Sequence, residues 1–421
     1  MTAKQPASTE ASADVYEEYI QGVLREQYGR EQVVGITPLQ HHNAQVYELN
    51  INPGTQDSAA AAPKKPGVAP LPAQSTRLIM RFSDPASMLN EEVRVQNEVA
   101  IMSLMREALG PADPSLVPEV YGWEPFSEGK GWTLIEFKQG VPLAGKFAGM
   151  DPDVKREVLA QIAEVFRRIQ SFRLPDSVKT YGGLNFSDGG GLVGGPTPIA
   201  GGGPCSSLAE LYAEYFQTQI AFADKCDIVR GWKDSELRAR LERFGKEGLK
   251  SLVERVDARP TLVHGDLDGH NILFDEGTNK LTALLDYDFG HVGSQADEYF
   301  YSFPSIHGLL IPPFLDDPEE VHLRQCLLDG FGPEDAERTC ASIAWATAVA
   351  RDDEFAKAGV ERPVDIGGID ALSAVFWFIQ NISPPMFFLE RWRSKATPDR
   401  VEAVKREARD NLERNLNAWG L

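Results

Sequence analysis

The stretch from Thr261 to Gly290 constrains the fold and chemistry of this chain more than any other part of its sequence. It contains Asp266, then Asn271 five residues later, and a second aspartate at Asp286. Between Asn271 and Asp286, two short apolar segments flank the turn-forming residues 275–280, a pattern that predicts a β-hairpin. A hairpin returns the chain to its starting point, so we expect Asp286 to lie beside Asp266 and Asn271.

Two carboxylates and an amide in one place suit the transfer of a phosphoryl group. Asp266 is positioned to accept the proton of an acceptor hydroxyl. Asn271 and Asp286 offer the oxygen ligands that Mg²⁺ prefers. The order of loop aspartate, asparagine, hairpin and second aspartate is also the order in which protein kinases arrange their H-R-D-x-x-x-x-N and D-F-G segments.

The segments His264–Asn271 and Asp286–Asp288 resemble the aminoglycoside phosphotransferase and choline kinase family, whose members carry H-G-D-x-x-x-x-N and then an I-D-W-like segment. The resemblance extends over roughly residues 33–297. It implies an α+β, protein-kinase-like fold of two lobes: a small antiparallel β-rich N-terminal lobe and a mainly helical C-terminal lobe, with the nucleotide between them. It also implies Mg²⁺ and ATP as cofactors, with GTP as the alternative.

The same resemblance assigns roles to individual residues. Asp266 would be the catalytic base, and Asn271 and Asp286 would be the metal ligands. His264 is expected to brace the loop from a buried position and not to carry a proton.

The first third of the chain has the pattern of a small β-rich unit with one helix. We expect residues 15–138 to form the nucleotide-binding lobe and residues 139–421 to form the catalytic and substrate lobe. Residues 1–14 are small and polar, which predicts a disordered tail. An Ala- and Pro-rich run at 53–75 separates two predicted strands, and its composition predicts a flexible insertion. The Gly-rich segment 188–204 is predicted to be a flexible flap.

Kinases of this type grip phosphate with a cation on the third strand, paired with a glutamate on the following helix. Arg81 occupies the matching strand position, where lysine is more common. Its guanidinium can hold a phosphate through two hydrogen bonds. Glu98 is the preferred helix partner, and Glu91 and Glu92 are the alternatives because predicted boundaries slip by about two to four residues.

Two further segments fall at positions that the family uses for nucleotide. No G-x-G-x-x-G precedes the first strand, and a polar turn containing Asn43 and Ala44 stands there instead. Its backbone N–H groups are expected to meet phosphate. Glu136 and Phe137 fall at the hinge between the lobes, where backbone groups would hold adenine.

The formal net charge of −20 argues against nucleic acid or anionic membranes as partners, because an acidic surface repels phosphate. It suits a cationic or neutral small molecule. Asp288, Glu298 and Trp377 are candidate substrate residues, since carboxylates beside aromatic faces bind amines. Asp288 could equally support the metal site, and the spacing around Trp377 is also typical of a helix core. An amino-alcohol or aminoglycoside-like acceptor is expected, and another hydroxylated metabolite is the alternative.

The four cysteines show no C-x-x-C pair, and no histidine was identified near them at metal-binding spacing. We therefore expect reduced thiols and no zinc site. The chain has no uninterrupted run of about 18 apolar residues, and no apolar signal segment follows Met1. These features predict a cytoplasmic protein, and nothing in the sequence indicates its oligomeric state.

The expected activity is that of an ATP-dependent kinase with an alcohol group as acceptor. The alternative is a kinase-fold protein that binds a nucleotide or ligand without turnover, which the intact Asp266, Asn271 and Asp286 disfavour. A protein kinase is disfavoured because the chain lacks a glycine loop, H-R-D and A-P-E.

Overall fold

The computed structural model describes residues 9–30, 33–39, 45–54, 65–84, 89–110, 115–199 and 202–421. Its strands are numbered β1 to β12 in chain order: Val33–Leu39, Gln45–Ile51, Arg77–Phe82, Val120–Glu124, Trp132–Glu136, Val141–Pro142, Gly183–Phe186, Leu192–Gly195, Thr261–Val263, Ile272–Asp275, Lys280–Leu284 and His291–Gly293. Its α-helices are numbered α1 to α13 in the same way: Thr9–Tyr28, Glu91–Leu109, Ala144–Phe147, Pro152–Gln170, Leu208–Lys225, Leu237–Arg243, Leu249–Val253, Glu298–Tyr301, Pro318–Asp329, Trp345–Ala358, Ile369–Ile382, Glu390–Arg393 and Pro398–Ala418.

The N-terminal part is an antiparallel sheet in the order β1-β2-β3-β5-β4. Side chains alternate between its two faces, because successive residues of a strand point in opposite directions. On β3, Leu78 and Met80 are buried in a core shared with α1. Ile79 and Arg81 line a cavity on the other face. The alternation of β3 therefore decides that Arg81 faces the interior of the molecule and not α1.

The C-terminal part is mainly helical, and small strand pairs lie at its junction with the sheet. The β10–β11 hairpin pairs with β6, and β9 pairs with β12. The helix α4 begins after Asp151, whose carboxylate accepts from Asp153 N at 2.9 Å. Its apolar side, including Val158, Ile162 and Phe166, enters the main core. The predicted fold class, a small antiparallel β part joined to a mainly helical part, is confirmed. None of the helices in the described ranges is long and apolar enough to cross a bilayer.

The predicted disordered tail is wrong for part of its length. The helix α1 starts at Thr9, and residues 9–14 are helical. Glu10, Ala11 and Ala13 are good helix formers, so the helix extends back from the apolar residues that anchor it. Residues 1–8 lie outside the described part of the chain.

The second part of the predicted flexible insertion, residues 65–75, is packed against the sheet. The Trp123 indole nitrogen donates to Pro66 O at 3.0 Å. Ala69 N donates to Val120 O at 2.8 Å. These bonds run along the edge strand β4, so this end of the insertion covers a sheet edge that would otherwise be open. The middle of the insertion, residues 55–64, lies outside the described ranges.

The Gly-rich segment is also more ordered than its composition indicates. It contains β8, which pairs with β7 from Gly183↔Gly195 to Phe186↔Leu192. A Cβ atom on Gly183 would lie 2.1 Å from the carbonyl oxygen of Pro196. Glycine is needed there because two backbones pass close together, so the predicted flap is a packed hairpin.

Candidate active site

The loop between β9 and β10 is bonded through its backbone to the short helix α8. His264 N and Gly265 N donate to the two carboxylate oxygens of Glu298, at 2.8 and 3.0 Å. Leu267 N donates to Ser302 Oγ at 2.8 Å, and that hydroxyl donates to Glu298. Three backbone N–H groups of the loop are thus bonded to α8 and its C-terminal residue, which makes the loop a rigid support for the side chain between them.

That side chain is Asp266. Asn271 Nδ2 donates to the Asp266 carbonyl oxygen at 2.9 Å and to Oδ2 at 2.8 Å. Burial and the nearby Asp286 carboxylate raise the pKa of Asp266 to about 6. His264 is fully buried and accepts from Asp266 N through Nδ1, and burial lowers its pKa to about 4. His264 therefore braces the loop as a neutral ring, and Asp266 is an oriented carboxylate of increased basicity.

Asp286 follows β11 and completes the set that the sequence pattern predicted. Its φ of 63° lies in the left-handed region, which an aspartate adopts at a cost in energy. This conformation turns the carboxylate into the cavity that Asn271 also lines. Arg81 Nη2 donates to Asp286 Oδ1 at 3.2 Å. The structure therefore brings Asp266, Asn271 and Asp286 together as expected.

A buried cluster of charged side chains lies behind Asp286. Arg81 is paired with Glu98 and donates to Asp288 Oδ2 at 3.0 Å. Arg94 Nη1 donates to Asp288 Oδ1 at 2.8 Å, and its Nε donates to Glu91 Oε2 at 2.8 Å. Burial alone would lower the pKa of Arg81, but the surrounding carboxylates outweigh it and the guanidinium stays charged. The α2 glutamate paired with Arg81 is thus Glu98, the preferred partner.

The two alternative glutamates, Glu91 and Glu92, do not pair with Arg81. Glu91 is paired with Arg94, and Glu92 is exposed. Sequence reasoning missed Arg94, although its signal was present: Glu91, Arg94 and Glu98 share one side of a helix at spacings of three and four residues. It also missed Asn97, whose Nδ2 donates to Gly290 O at 2.8 Å. Both residues connect α2 to the segment that carries Asp286.

The cavity between the sheet and the helical part has a volume of about 340 Å³. Apolar side chains from both parts line the cavity, together with Arg81, Asn271 and Asp286. Glu136 and Phe137 line the cavity at the point where β5 leaves the sheet. The N–H of Glu136 already donates to Glu119 O at 2.8 Å, so this group is committed within the protein. Asn43 and Ala44 lie outside the described residues.

The three candidate substrate residues do not form an acceptor site. Glu298 is 2% exposed and is bonded to the backbone of the Asp266 loop. Asp288 is fully buried between two guanidinium groups. The Trp377 indole nitrogen donates to Leu310 O at 2.8 Å, and its ring packs edge-on against Phe376 in the helical core. The predictions for Glu298 and Asp288 are wrong because sequence alone shows that a side chain is charged but not what buries it. Trp377 is only partly buried at the edge of the core.

Changing Gly265 to alanine is expected to lower the free energy of unfolding by about 1–3 kcal/mol. Gly265 has φ +79°, and a Cβ atom there would lie 2.6 Å from the Phe289 carbonyl oxygen. The matched control is Gly145→Ala, because a Cβ atom on Gly145 in α3 meets nothing within 4 Å. Urea denaturation measures both variants, and equal stabilities would contradict the requirement for glycine in the loop.

Glu298 should make stability depend on pH. Burial raises its pKa from 4.5 to about 7, against the hydrogen bonds it accepts from Ser302, His264 and Gly265. A carboxyl group with a raised pKa contributes stability below its unfolded pKa and loses that contribution as pH rises through the folded value. Between pH 4.5 and 7, this loss is on the order of 3 kcal/mol. Urea denaturation across this range should give a flatter profile for Glu298→Gln, and parallel profiles would disprove the assignment.

Comparison with solved structures finds similar chains at low sequence identity. The gentamicin complex of APH(2'')-IIa is 12% identical, with 97% of each chain covered and a TM-score of 0.49. The ADP-bound aminoglycoside phosphotransferase APH(2'')-Ib is 11% identical over 96% of this chain and 99% of that one, with a TM-score of 0.47. An ethanolamine kinase of Plasmodium vivax is 12% identical over 99% and 95%, with a TM-score of 0.47.

Comparison with curated proteins gives no match. The sequence model of the phosphotransferase enzyme family matches residues 72–299, which is more than half of the chain. The matched range contains β3, α2, the Asp266 loop and the hairpin that ends at Asp286. It confirms the family resemblance based on the Asp266, Asn271 and Asp286 motifs, and with it the prediction of a phosphotransferase. The chain belongs to the phosphotransferase enzyme family.

Proposed function

We propose that this phosphotransferase moves the γ-phosphoryl group of ATP to a hydroxyl group of a small molecule. The observation that carries the proposal is the Asp266 carboxylate, which Asn271 orients beside a cavity also lined by Asp286 and Arg81. Phosphoryl transfer needs a group that positions the acceptor hydroxyl and groups that hold the phosphates. These residues offer both within one site.

The cavity suits a nucleotide in both size and polarity. Its volume of about 340 Å³ lies in the range of small-molecule sites. Val46, Ile79 and Ile135 give it an apolar wall that fits a purine ring. Arg81 lies at the polar side, where a nucleotide bound in this orientation would carry its phosphates. ATP is the proposed donor, and GTP is the alternative that a binding comparison distinguishes.

The residues at the polar side also fit Mg²⁺. Asn271 uses its amide nitrogen to bind Asp266, which leaves its carbonyl oxygen for a cation. Asp286 contributes a carboxylate to the same cavity. Oxygen atoms of this kind are the ligands that Mg²⁺ prefers. When bound, the ion would neutralise charge on the phosphates.

Asp266 is proposed as the group that receives the acceptor proton. Burial and Asp286 raise its pKa to about 6, which makes it a stronger base than an exposed aspartate. Asn271 holds one carboxylate oxygen, so the other can face the incoming hydroxyl. Glu298 and Ser302 hold the loop backbone, which keeps Asp266 from moving away from the phosphate.

The proposed acceptor is an amino-alcohol or an aminoglycoside-like molecule, and an uncharged hydroxylated metabolite is the alternative. The net charge of −20 favours a cation over an anion near this protein. An acceptor amine would also be attracted to the carboxylates around Asp266.

The test is to incubate the protein with γ-labelled ATP and Mg²⁺, in separate reactions with amino-alcohols, aminoglycosides, uncharged polyols and generic proteins. We expect label in one small-molecule class and none with Asp266→Asn. Label in added proteins alone would indicate a protein kinase. ATP binding with no label in any acceptor class, and identical behaviour of wild type and Asp266→Asn, would support a non-catalytic binding protein.

A further inference from the structure

A second group of metal-ligating side chains lies in the helical part, outside the site described above. His322 and Cys326 are four residues apart on α9, and Asp335 follows in the next turn. Nε2 of His322 is 2.7 Å from Oδ1 of Asp335 and 3.5 Å from Sγ of Cys326. Cys326 Sγ is 3.4 Å from the other carboxylate oxygen of Asp335. The imidazole nitrogen, the sulfur atom and the Asp335 carboxylate therefore face each other in a triangle, with Oδ1 beside the imidazole and Oδ2 beside the thiol.

This triangle has nearly the dimensions of one face of a tetrahedral zinc site. Zinc binds nitrogen and oxygen at roughly 2.0–2.2 Å and sulfur at about 2.3 Å, so the N–S and S–O edges of such a site are about 3.5 Å. The observed edges are 3.5 and 3.4 Å. The N–O edge would lengthen by about 0.7 Å when metal bonds replace the hydrogen bond between His322 and Asp335.

We propose that His322, Cys326 and Asp335 bind one divalent cation of the borderline-soft class, with Zn²⁺ as the best fit, and that water completes the coordination. Imidazole and thiolate ligands favour this class over Mg²⁺ or Ca²⁺. The site is distinct from the oxygen-lined cavity proposed for the nucleotide and does not depend on that proposal.

The surroundings hold the three ligands in place and leave one side open. Gly332 N donates to Asp335 Oδ2 at 2.7 Å, which fixes the carboxylate after α9 ends. Cys326 and Asp335 are buried, whereas the His322 side chain is 38% exposed. A cation and its water can therefore enter past His322 without disturbing the core.

Two properties of the cluster determine how binding will appear. A cysteine binds a cation as its thiolate, so a cation must displace the Cys326 thiol proton and binding should strengthen as pH rises. A bound cation would also fasten α9 to the turn that contains Asp335. The N-terminus of α10 lies next to α9, since the Trp345 indole nitrogen donates to Glu319 Oε2 on α9 at 2.9 Å.

The test uses Co²⁺ as a coloured substitute for Zn²⁺ and adds it to the full chain after bound metal has been removed. A reductant keeps the thiols reduced, and excess Mg²⁺ is present to occupy oxygen-lined sites. We expect one Co²⁺ per chain with a thiolate-to-cobalt charge-transfer band, which Zn²⁺ then removes. The band should disappear in Cys326→Ala and remain in Cys340→Ala, because Cys340 contacts Ser342 and not the cluster. An oxygen-lined site that takes up Co²⁺ gives no thiolate band, so the two sites are distinguished.

Zn²⁺ affinity, measured by competition with a chromophoric chelator, gives the second readout. His322→Ala and Asp335→Asn should each weaken Zn²⁺ binding at least about tenfold, since even outer-shell changes have effects of that size. His322 is half-exposed, so its variant keeps the proposal testable if Asp335→Asn unfolds. The proposal is wrong if wild type shows no charge-transfer band, or if Zn²⁺ affinity is unchanged in both Cys326→Ala and His322→Ala. The three side chains would then be joined by hydrogen bonds alone.

Discussion

Replacing Asp266 by asparagine is expected to lower kcat by about 100- to 10,000-fold, the usual contribution of a positioned general base. Asparagine keeps the shape of the side chain and can still accept from Asn271, so the loop is preserved. It cannot take up the proton of the acceptor hydroxyl. Nucleotide affinity should change little, because Asp266 is assigned to the acceptor and not to the metal.

The matched control is Asp275→Asn. Asp275 lies exposed at the turn of the hairpin that leads to Asp286, where it accepts from Gly277 N and Thr278 N. Its variant should retain the wild-type kcat. Steady-state kinetics and nucleotide titration on both variants separate the possibilities. If Asp266→Asn loses nucleotide affinity as much as it loses kcat, Asp266 holds the metal and the proposed base is wrong.

Replacing Arg94 by leucine is expected to lower the free energy of unfolding by about 3–5 kcal/mol. Arg94 is 1% exposed and binds Asp288, Glu91 and Ser83. Leucine fills part of the space but leaves Asp288, which is fully buried, with Arg81 as its remaining cationic partner. A buried charge that loses a partner is far more costly than an exposed one, because water cannot reach it.

Arg409→Leu is the matched control for this prediction. Arg409 donates to Glu413 at 2.8 Å across one turn of α13, and its side chain is 47% exposed. Loss of such a surface pair typically costs at most about 1 kcal/mol. Urea denaturation of the two variants should therefore give clearly different midpoints. Equal midpoints would mean that the cluster behind Asp286 contributes little to stability.

The catalytic segment could be predicted from sequence because its geometry is local. Asp266, Asn271 and Asp286 are brought together by one loop and one hairpin, and both have clear turn signals. Arg81 could be placed because alternation along a strand determines which face a side chain takes. The choice of Glu98 over Glu91 as the partner of Arg81 agrees with the structure. Sequence alone could not explain it, because Glu91 is paired instead with a second buried arginine, Arg94.

Apart from the N-terminal tail, the predictions that were wrong depended on contacts distant in sequence. The Ala- and Pro-rich insertion and the Gly-rich segment have the composition of loops, yet described residues of the first contact Trp123 and described residues of the second pack against Gly183 on β7. Glu298 and Asp288 are charged in the sequence and buried in the fold, where backbone N–H groups and guanidinium groups compensate them. The spacing of His322 and Cys326 has no meaning in the sequence alone, because their third partner, Asp335, is supplied by a turn.

The most direct test of the proposed activity is a calorimetric and thermal-shift titration of Mg-ATP and Mg-GTP into wild type, Asp266→Asn and Asp286→Asn. Asparagine tolerates the left-handed conformation at position 286, so this variant removes the charge and keeps the backbone. Nucleotide at about 100 times its Kd should stabilise wild type by about 2.7 kcal/mol. We predict that this Mg-dependent stabilisation persists in Asp266→Asn and is lost in Asp286→Asn. No Mg-dependent stabilisation of wild type by either nucleotide would contradict the assignment of the cavity and, with it, the proposed kinase activity.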